Sequence, residues 1–107
     1  YYTRSKEGRR EIQLKWKFNM SLADYQILLA RQNGGCAICG VSEPNHPRVR
    51  YLSVDHCHED GHIRGLLCFS CNSGIGHLKD SLPLLQRAVE YIARHERADE
   101  DLNIFFT

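Results

Sequence analysis

The 107 residues predict a small α+β domain built around a metal-binding knuckle. Three observations carry that reading. Two C-x-x-C pairs, Cys36-Ala-Ile-Cys39 and Cys68-Phe-Ser-Cys71, stand 28 residues apart. Between them, RVRYLSV (48–54) and HIRGLL (62–67) read as two strands joined by a turn at HEDGH (58–62). On either side lie helical patterns, giving the order helix, knuckle, strand, turn, strand, helix, helix.

The elements follow from local chemistry. Residues 5–18 read as a basic helix, although Ile12, Leu14, Trp16 and Phe18 alternate. In SLADYQILLARQNGG, Ser21 can cap a helix and Asp24 sits three residues later, as in a capping box. Leu22, Tyr25, Leu28 and Leu29 recur at helical spacing, and Asn33-Gly34-Gly35 ends the helix just before the first cysteine pair. VSEPNHPR (41–48) holds two prolines and reads as loop, and His46 belongs to it. Asp60-Gly61 supplies the hairpin turn. The second cysteine pair opens a short helix from about Phe69 to Lys79, whose N-terminal amides are expected to favour the Cys71 thiolate. Asp80-Ser81 caps a last helix with Pro83 in its first turn. That helix is expected to run to about Arg94 and to bury Leu84, Leu85, Ala88, Val89 and Ile92. The organisation expected is a basic arm or helix over 1–20, a zinc-stabilised domain over 21–95 and an apolar tail over 96–107. The DLNIFFT end of that tail would fold back on the core or join a partner chain, so a homodimer is allowed.

Composition narrows the classes. Hydrophobic content of 42% and charged content of 25% describe a folded chain rather than a disordered one. A core of this size is thin, and a structural metal would strengthen it. No apolar run approaches the roughly 18 residues of a membrane span, so no membrane association is expected. The chain opens YYTRS without an initiator Met, as a trimmed chain or a piece of a longer protein would. Net charge is only +1, but its distribution is uneven. Arg4, Lys6, Arg9, Arg10, Lys15 and Lys17 face only Glu7 and Glu11 in the first 20 residues, whereas acids outnumber bases in residues 81–107. A basic arm of this kind suits phosphate contacts on a nucleic acid, and equally a solvated helix face.

The cysteines and histidines carry the chemistry. Two C-x-x-C pairs supply four thiolates for one tetrahedral Zn²⁺. The fifth, Cys57, is an odd thiol, which fits a reducing compartment better than a pair of disulfides. VDHCHEDGH (54–62) packs three histidines, a cysteine and three acids into nine positions. Aspartate is a hard oxygen ligand suited to Mg²⁺ or Mn²⁺, histidine a general base near neutral pH, and an asparagine oxygen completes a hard-metal site without adding charge. Asp55 and His56 are adjacent and would point to opposite faces of a regular strand, a rule that relaxes at a strand end. Asn72 directly follows the last cysteine, so zinc would fix the helix start and with it Asn72. His62 reads as a turn histidine and Cys57 as a spare, partly buried thiol. Trp16 could stack on bases or lie in the core.

CAICG, then VDHCHEDGHIRGLLCFSCN, with the LADYQILLARQNGG lead-in, resembles the phage recombination endonuclease VII family of the HNH, or His-Me finger, nucleases. The resemblance covers roughly residues 20–90. It implies a ββα-metal core with a structural Cys₄ zinc and one-metal hydrolysis of DNA phosphodiesters by Mg²⁺ or Mn²⁺. It implies that His56 is the general base, that Asp55 and Asn72 hold the catalytic ion, and that His58 contacts the phosphate or assists the base. It gives Arg64 a phosphate-binding or site-organising role. It also implies double-stranded or branched DNA as partner, and the cytoplasm of a bacterium or phage-infected cell as location. Some members carry an acid three residues after the asparagine; here that residue is Ile75, which implies one fewer protein ligand. His77 has no match in the family motif. Two other functions fit the residues: a zinc-stabilised module that binds DNA without cutting it, and the catalytic module of a restriction or modification-dependent nuclease. Asp55-His56 together with Asn72 discriminates against a pure binder.

Overall fold

In the computed structural model, residues 6–97 are described. They form α1 (Lys6–Phe18), α2 (Leu22–Arg31), β1 (Ser53–His56), β2 (Ile63–Leu67), α3 (Phe69–His77) and α4 (Leu82–Arg97). The architecture is α+β with one two-stranded antiparallel sheet among the described residues. Two compact units divide after Asn72, inside α3. Arg4 and the first tyrosines, and the apolar tail from residue 98, lie outside the described residues.

In the first unit, α1 is a helix despite its alternating apolar residues. Leu14 is fully buried, whereas Trp16 is 85% exposed, so neighbouring members of the alternation part on the helix surface. Asn19 ends the helix with a positive φ of 52°. The expected capping box opens α2: the Asp24 amide donates to Ser21 Oγ at 3.0 Å and the Ser21 amide to Asp24 Oδ2 at 3.1 Å. Those bonds hold the Asp24 carboxyl below its usual range. α1 and α2 pack together, and α2 packs on β2. The core joins Leu14, Met20 and Tyr25 to Leu52, Val54, Leu66 and Leu67, with Cys36 and Cys68 at its metal end.

Two polar side chains pin the helices to the hairpin. The Tyr25 hydroxyl donates to the Leu52 carbonyl at 2.7 Å. The Gln32 amide acts like a short piece of strand: Oε1 accepts from the Leu66 N–H and Nε2 donates to the Leu66 carbonyl, both at 2.9 Å. Gly65 makes room for it, since a Cβ there would lie 2.9 Å from Gln32 Oε1.

The sheet corrects one expectation. RVRYLSV was expected to pair from residue 48, but β1 starts only at Ser53 and extends to His56. β2 has five residues, and Ser53 already faces Leu67, its last. Among the described residues, 48–52 therefore have no partner strand and run as an unladdered segment. The expected returning strand, turn and short helix all form.

In the second unit, Ser81 caps α4, accepting from the Leu84 amide at 3.3 Å. Leu84, Leu85 and Ala88, expected to be buried, are only half-buried. Val89 and Ile92 are not: they are 67% and 56% exposed. Helical periodicity identifies an apolar stripe, but its width exceeds what is covered here. No described helix is long and apolar enough to cross a membrane.

Candidate functional site

The four knuckle cysteines converge. Their sulfurs all lie within 4.8 Å of one another, and none is in a disulfide. Cys39 Sγ and Cys68 Sγ are 3.7 Å apart. Two sulfurs bound tetrahedrally to zinc at about 2.3 Å would lie about 3.8 Å apart, so the cage has the right size for that ion.

Each pair is shaped by backbone N–H groups aimed at its first sulfur. The Ile38 amide donates to Cys36 Sγ and the Cys71 amide to Cys68 Sγ, both at 3.4 Å. The first knuckle closes through Cys36 N–H to the Val41 carbonyl at 2.8 Å and Gly40 N–H to the Cys36 carbonyl at 2.9 Å. Gly35 is the tight point: a Cβ there would sit 2.3 Å from the Gly40 carbonyl oxygen. Pro44 holds the second knuckle, its carbonyl accepting from the Phe69 amide at 2.6 Å, while His46 packs its ring on Phe69.

The thiols are not equivalent. Burial alone would raise Cys36, but hydrogen bonds from the Cys39, Cys68 and Ile38 backbone bring it down to about 6. Cys71 moves the other way: burial, then thiol hydrogen bonds with Cys68, Cys39 and Cys36, then the Cys36 charge push it well up. The Cys71 amide, at the start of α3, donates to Cys68 Sγ.

The hairpin presents the dense stretch. Its register slips between Asp55 and His56: Asp55 faces Gly65, His56 faces Ile63, and Arg64 is the extra residue on β2. A bulge of this kind re-aims side chains that strict alternation would keep apart. The Arg64 guanidinium grips Asp55 at two points, Nε to Oδ2 at 2.7 Å and Nη2 to Oδ1 at 2.9 Å. The Asp55 side chain is only 13% exposed and that of Arg64 32%. His56 stands beside His58, ring centroids 5.0 Å apart, and beside Phe18 of α1 at 5.8 Å. Asn72 is half-buried, and its amide donates to the Cys68 carbonyl at 2.9 Å.

Phe18, Val54 and Asn72 line a shared groove of about 480 Å³ with Lys17, Arg48 and Arg50. Arg48 and Arg50 escape a motif search; the basic alternation in RVR is their only trace in the sequence. Among the basic residues expected in the arm, Lys17 reaches this groove, while Lys15 donates to Asn19 Oδ1 at 2.8 Å. Arg10 also lines it, but its guanidinium is held between the rings of Tyr25 and Tyr51, at 4.9 and 4.7 Å from their centroids, and donates to Gln13 and the Leu52 carbonyl. Its cation is shared with packing. Arg9 lines a neighbouring depression with Arg50 and Tyr51. Lys6 begins α1. His77 ends α3, in the second unit.

Comparison with known proteins fits this arrangement. The chain is 40% identical over 78 residues to the Gene 59 protein of Mycobacterium phage D29, covering 72% of this chain and 46% of that protein. It is 39% identical over 70 residues to the Gene 59 protein of Mycobacterium phage L5, covering 64% and 41%. The chain thus spans less than half the length of these relatives. No solved structure matches it. The pattern of the family described as recombination endonuclease VII matches residues 11–94, from the middle of α1 through most of α4, and the chain belongs to that family.

Proposed function

We propose that this chain is the catalytic part of a metal-dependent DNA endonuclease with a ββα-metal, His-Me finger centre, its nuclease domain spanning residues 21–95. One observation supports it above the rest: the basic groove lined by Asn72 is also lined by Phe18, whose ring centroid lies 5.8 Å from that of His56. A phosphodiester backbone following Lys17, Arg48 and Arg50 is thereby led toward the histidine pair.

The donor set fits a hard cation. Asp55 offers a carboxylate and Asn72 a neutral amide oxygen, the ligands that Mg²⁺ or Mn²⁺ prefers. Arg64 takes one lone pair on each Asp55 oxygen, and each oxygen keeps another. When bound, the cation supplies Lewis-acid stabilisation of charge on the scissile phosphate and the leaving 3′ oxygen. Neutral His56 takes the proton from a water in line with the P–O3′ bond. The water oxygen bonds to phosphorus as that bond breaks, and the departing 3′ oxygen takes a proton from solvent, leaving a 5′-phosphate and a 3′-hydroxyl. His58 stabilises the charge on His56 or contacts the phosphate. Arg64 positions Asp55, and the zinc knuckle positions Asn72 and has no chemical role. The protein acts on double-stranded or branched DNA in the cytoplasm of the host cell, and a dimer would let two centres cut opposing strands.

A non-catalytic DNA-binding module is the competing reading, favoured by the Arg64 grip on both Asp55 oxygens. Supercoiled plasmid separates the two. The nuclease nicks it with Mg²⁺ or Mn²⁺ and not with a chelator, whereas a binding module shifts its mobility and leaves it intact.

A further inference from the structure

The mechanism leaves three ligand-type side chains at the hairpin tip unused. Cys57, Asp60 and His62 place a sulfur, a carboxylate oxygen and a ring nitrogen all within 4.8 Å of one another. We propose that this trio is a second, exchangeable site for a thiophilic divalent transition metal such as Zn²⁺ or Co²⁺, separate from the four-cysteine cage.

Sequence proximity alone would not bring these residues together; the turn does. The Cys57 amide donates to the His62 carbonyl at 2.9 Å and the Gly61 amide to the Cys57 carbonyl at 2.8 Å, closing the loop between the two ligands. Gly61 adopts a φ of +79°, which side chains rarely tolerate. The His62 amide donates to Asp60 Oδ1 at 3.0 Å and fixes the carboxylate. His62 Nδ1 then meets that same oxygen at 2.5 Å. The His62 amide and ring hold the Asp60 carboxyl below its usual range.

The donor set is selective. A thiolate and an imidazole favour Zn²⁺, Co²⁺ or Cd²⁺, whereas the Asp55–Asn72 pair offers only oxygen and favours Mg²⁺ or Mn²⁺. Three protein ligands leave a position for water, the arrangement of an open rather than a structural zinc site. The side chains of His62 and Asp60 are 60% and 67% exposed, so an ion exchanges readily with solvent. Binding displaces the Cys57 proton and the hydrogen shared between His62 and Asp60. The four-cysteine cage has four sulfurs and is shielded on two of them, so it keeps its ion when this site loses its own.

The test is a cobalt titration of the zinc-loaded protein under a non-thiol reductant. Native mass spectrometry counts ions per chain, and absorbance follows the thiolate-to-cobalt charge-transfer band. A second ion per chain is expected with the first zinc retained. Cys57→Ser removes the band, and Cys57→Ser and His62→Ala each lower the count by one ion without changing the circular dichroism spectrum. A wild-type titration that gives no thiolate-to-cobalt band while the first zinc is retained, or a band that survives Cys57→Ser, overturns the site.

Discussion

Arg64 holds Asp55 by two hydrogen bonds, Nε to Oδ2 at 2.7 Å and Nη2 to Oδ1 at 2.9 Å, across a bulge that makes Arg64 the extra residue of β2. A planar fork is required for that grip, and lysine cannot supply it. Arg64→Ala leaves a largely covered carboxylate unpaired and is expected to lower stability by on the order of 2 kcal/mol. Arg64→Lys recovers less than half of that loss in chemical denaturation. Equal stability of the two variants and wild type would reduce the contact to a passive surface pair.

The groove makes a graded prediction. Arg48→Ala and Arg50→Ala are each expected to weaken DNA binding at low salt and to reduce the slope of log affinity against log salt by about 1. Lys15, tied to Asn19 away from the groove, is expected to contribute less when replaced by Ala. Fluorescence anisotropy across a salt series checks the order; a larger effect at Lys15 than at Arg48 or Arg50 contradicts the path.

Gly35 tests the knuckle without touching a ligand. Gly35→Ala drives a Cβ to 2.3 Å from the Gly40 carbonyl oxygen, which cannot move without opening the turn that holds Cys36 and Cys39. Zinc affinity and melting temperature should both fall. Gly34→Ala has open space but a φ of +78°, so it should cost only backbone strain and leave zinc affinity close to wild type.

Acid tests the cage. Cys36 ionises at about 6, below its ordinary value. Its ionisation therefore stabilises the metal-free fold above the unfolded value, and that contribution is lost as pH falls through about 6. Zinc binding near pH 7.5 should then release fewer than about four protons from the four thiols, because Cys36 has already lost its own. The count should rise below about pH 6, as calorimetry in buffers of different ionisation heat will read. A count independent of pH would contradict the assignment of Cys36 as the thiolate.

Local chemistry made much of this architecture readable. The Ser21–Asp24 box, the two cysteine pairs and the Asp60-Gly61 turn each depend on residues within a few positions of one another, and each forms. What depends on distant partners was not readable. RVRYLSV has strand composition along its whole length, but only its end meets β2. Arg64 meets Asp55 only because the register slips, and no residue type announces a bulge there. Arg10 reads as one more base in a basic arm until Tyr25 and Tyr51 close on it from far along the chain. Val89 and Ile92 carry a helical stripe whose cover the periodicity does not specify.

The central claim is that His56 performs base catalysis beside the basic groove. It is tested most directly by incubating supercoiled plasmid with zinc-loaded wild-type protein and His56→Ala, in Mg²⁺, in Mn²⁺ and in a weak chelator. The wild type is expected to nick only with metal. His56→Ala should keep its zinc and its DNA affinity and lose about 10²–10⁴-fold in rate. Undiminished nicking by a zinc-loaded His56→Ala protein, or a wild type that binds plasmid tightly and never cuts it, would contradict the account.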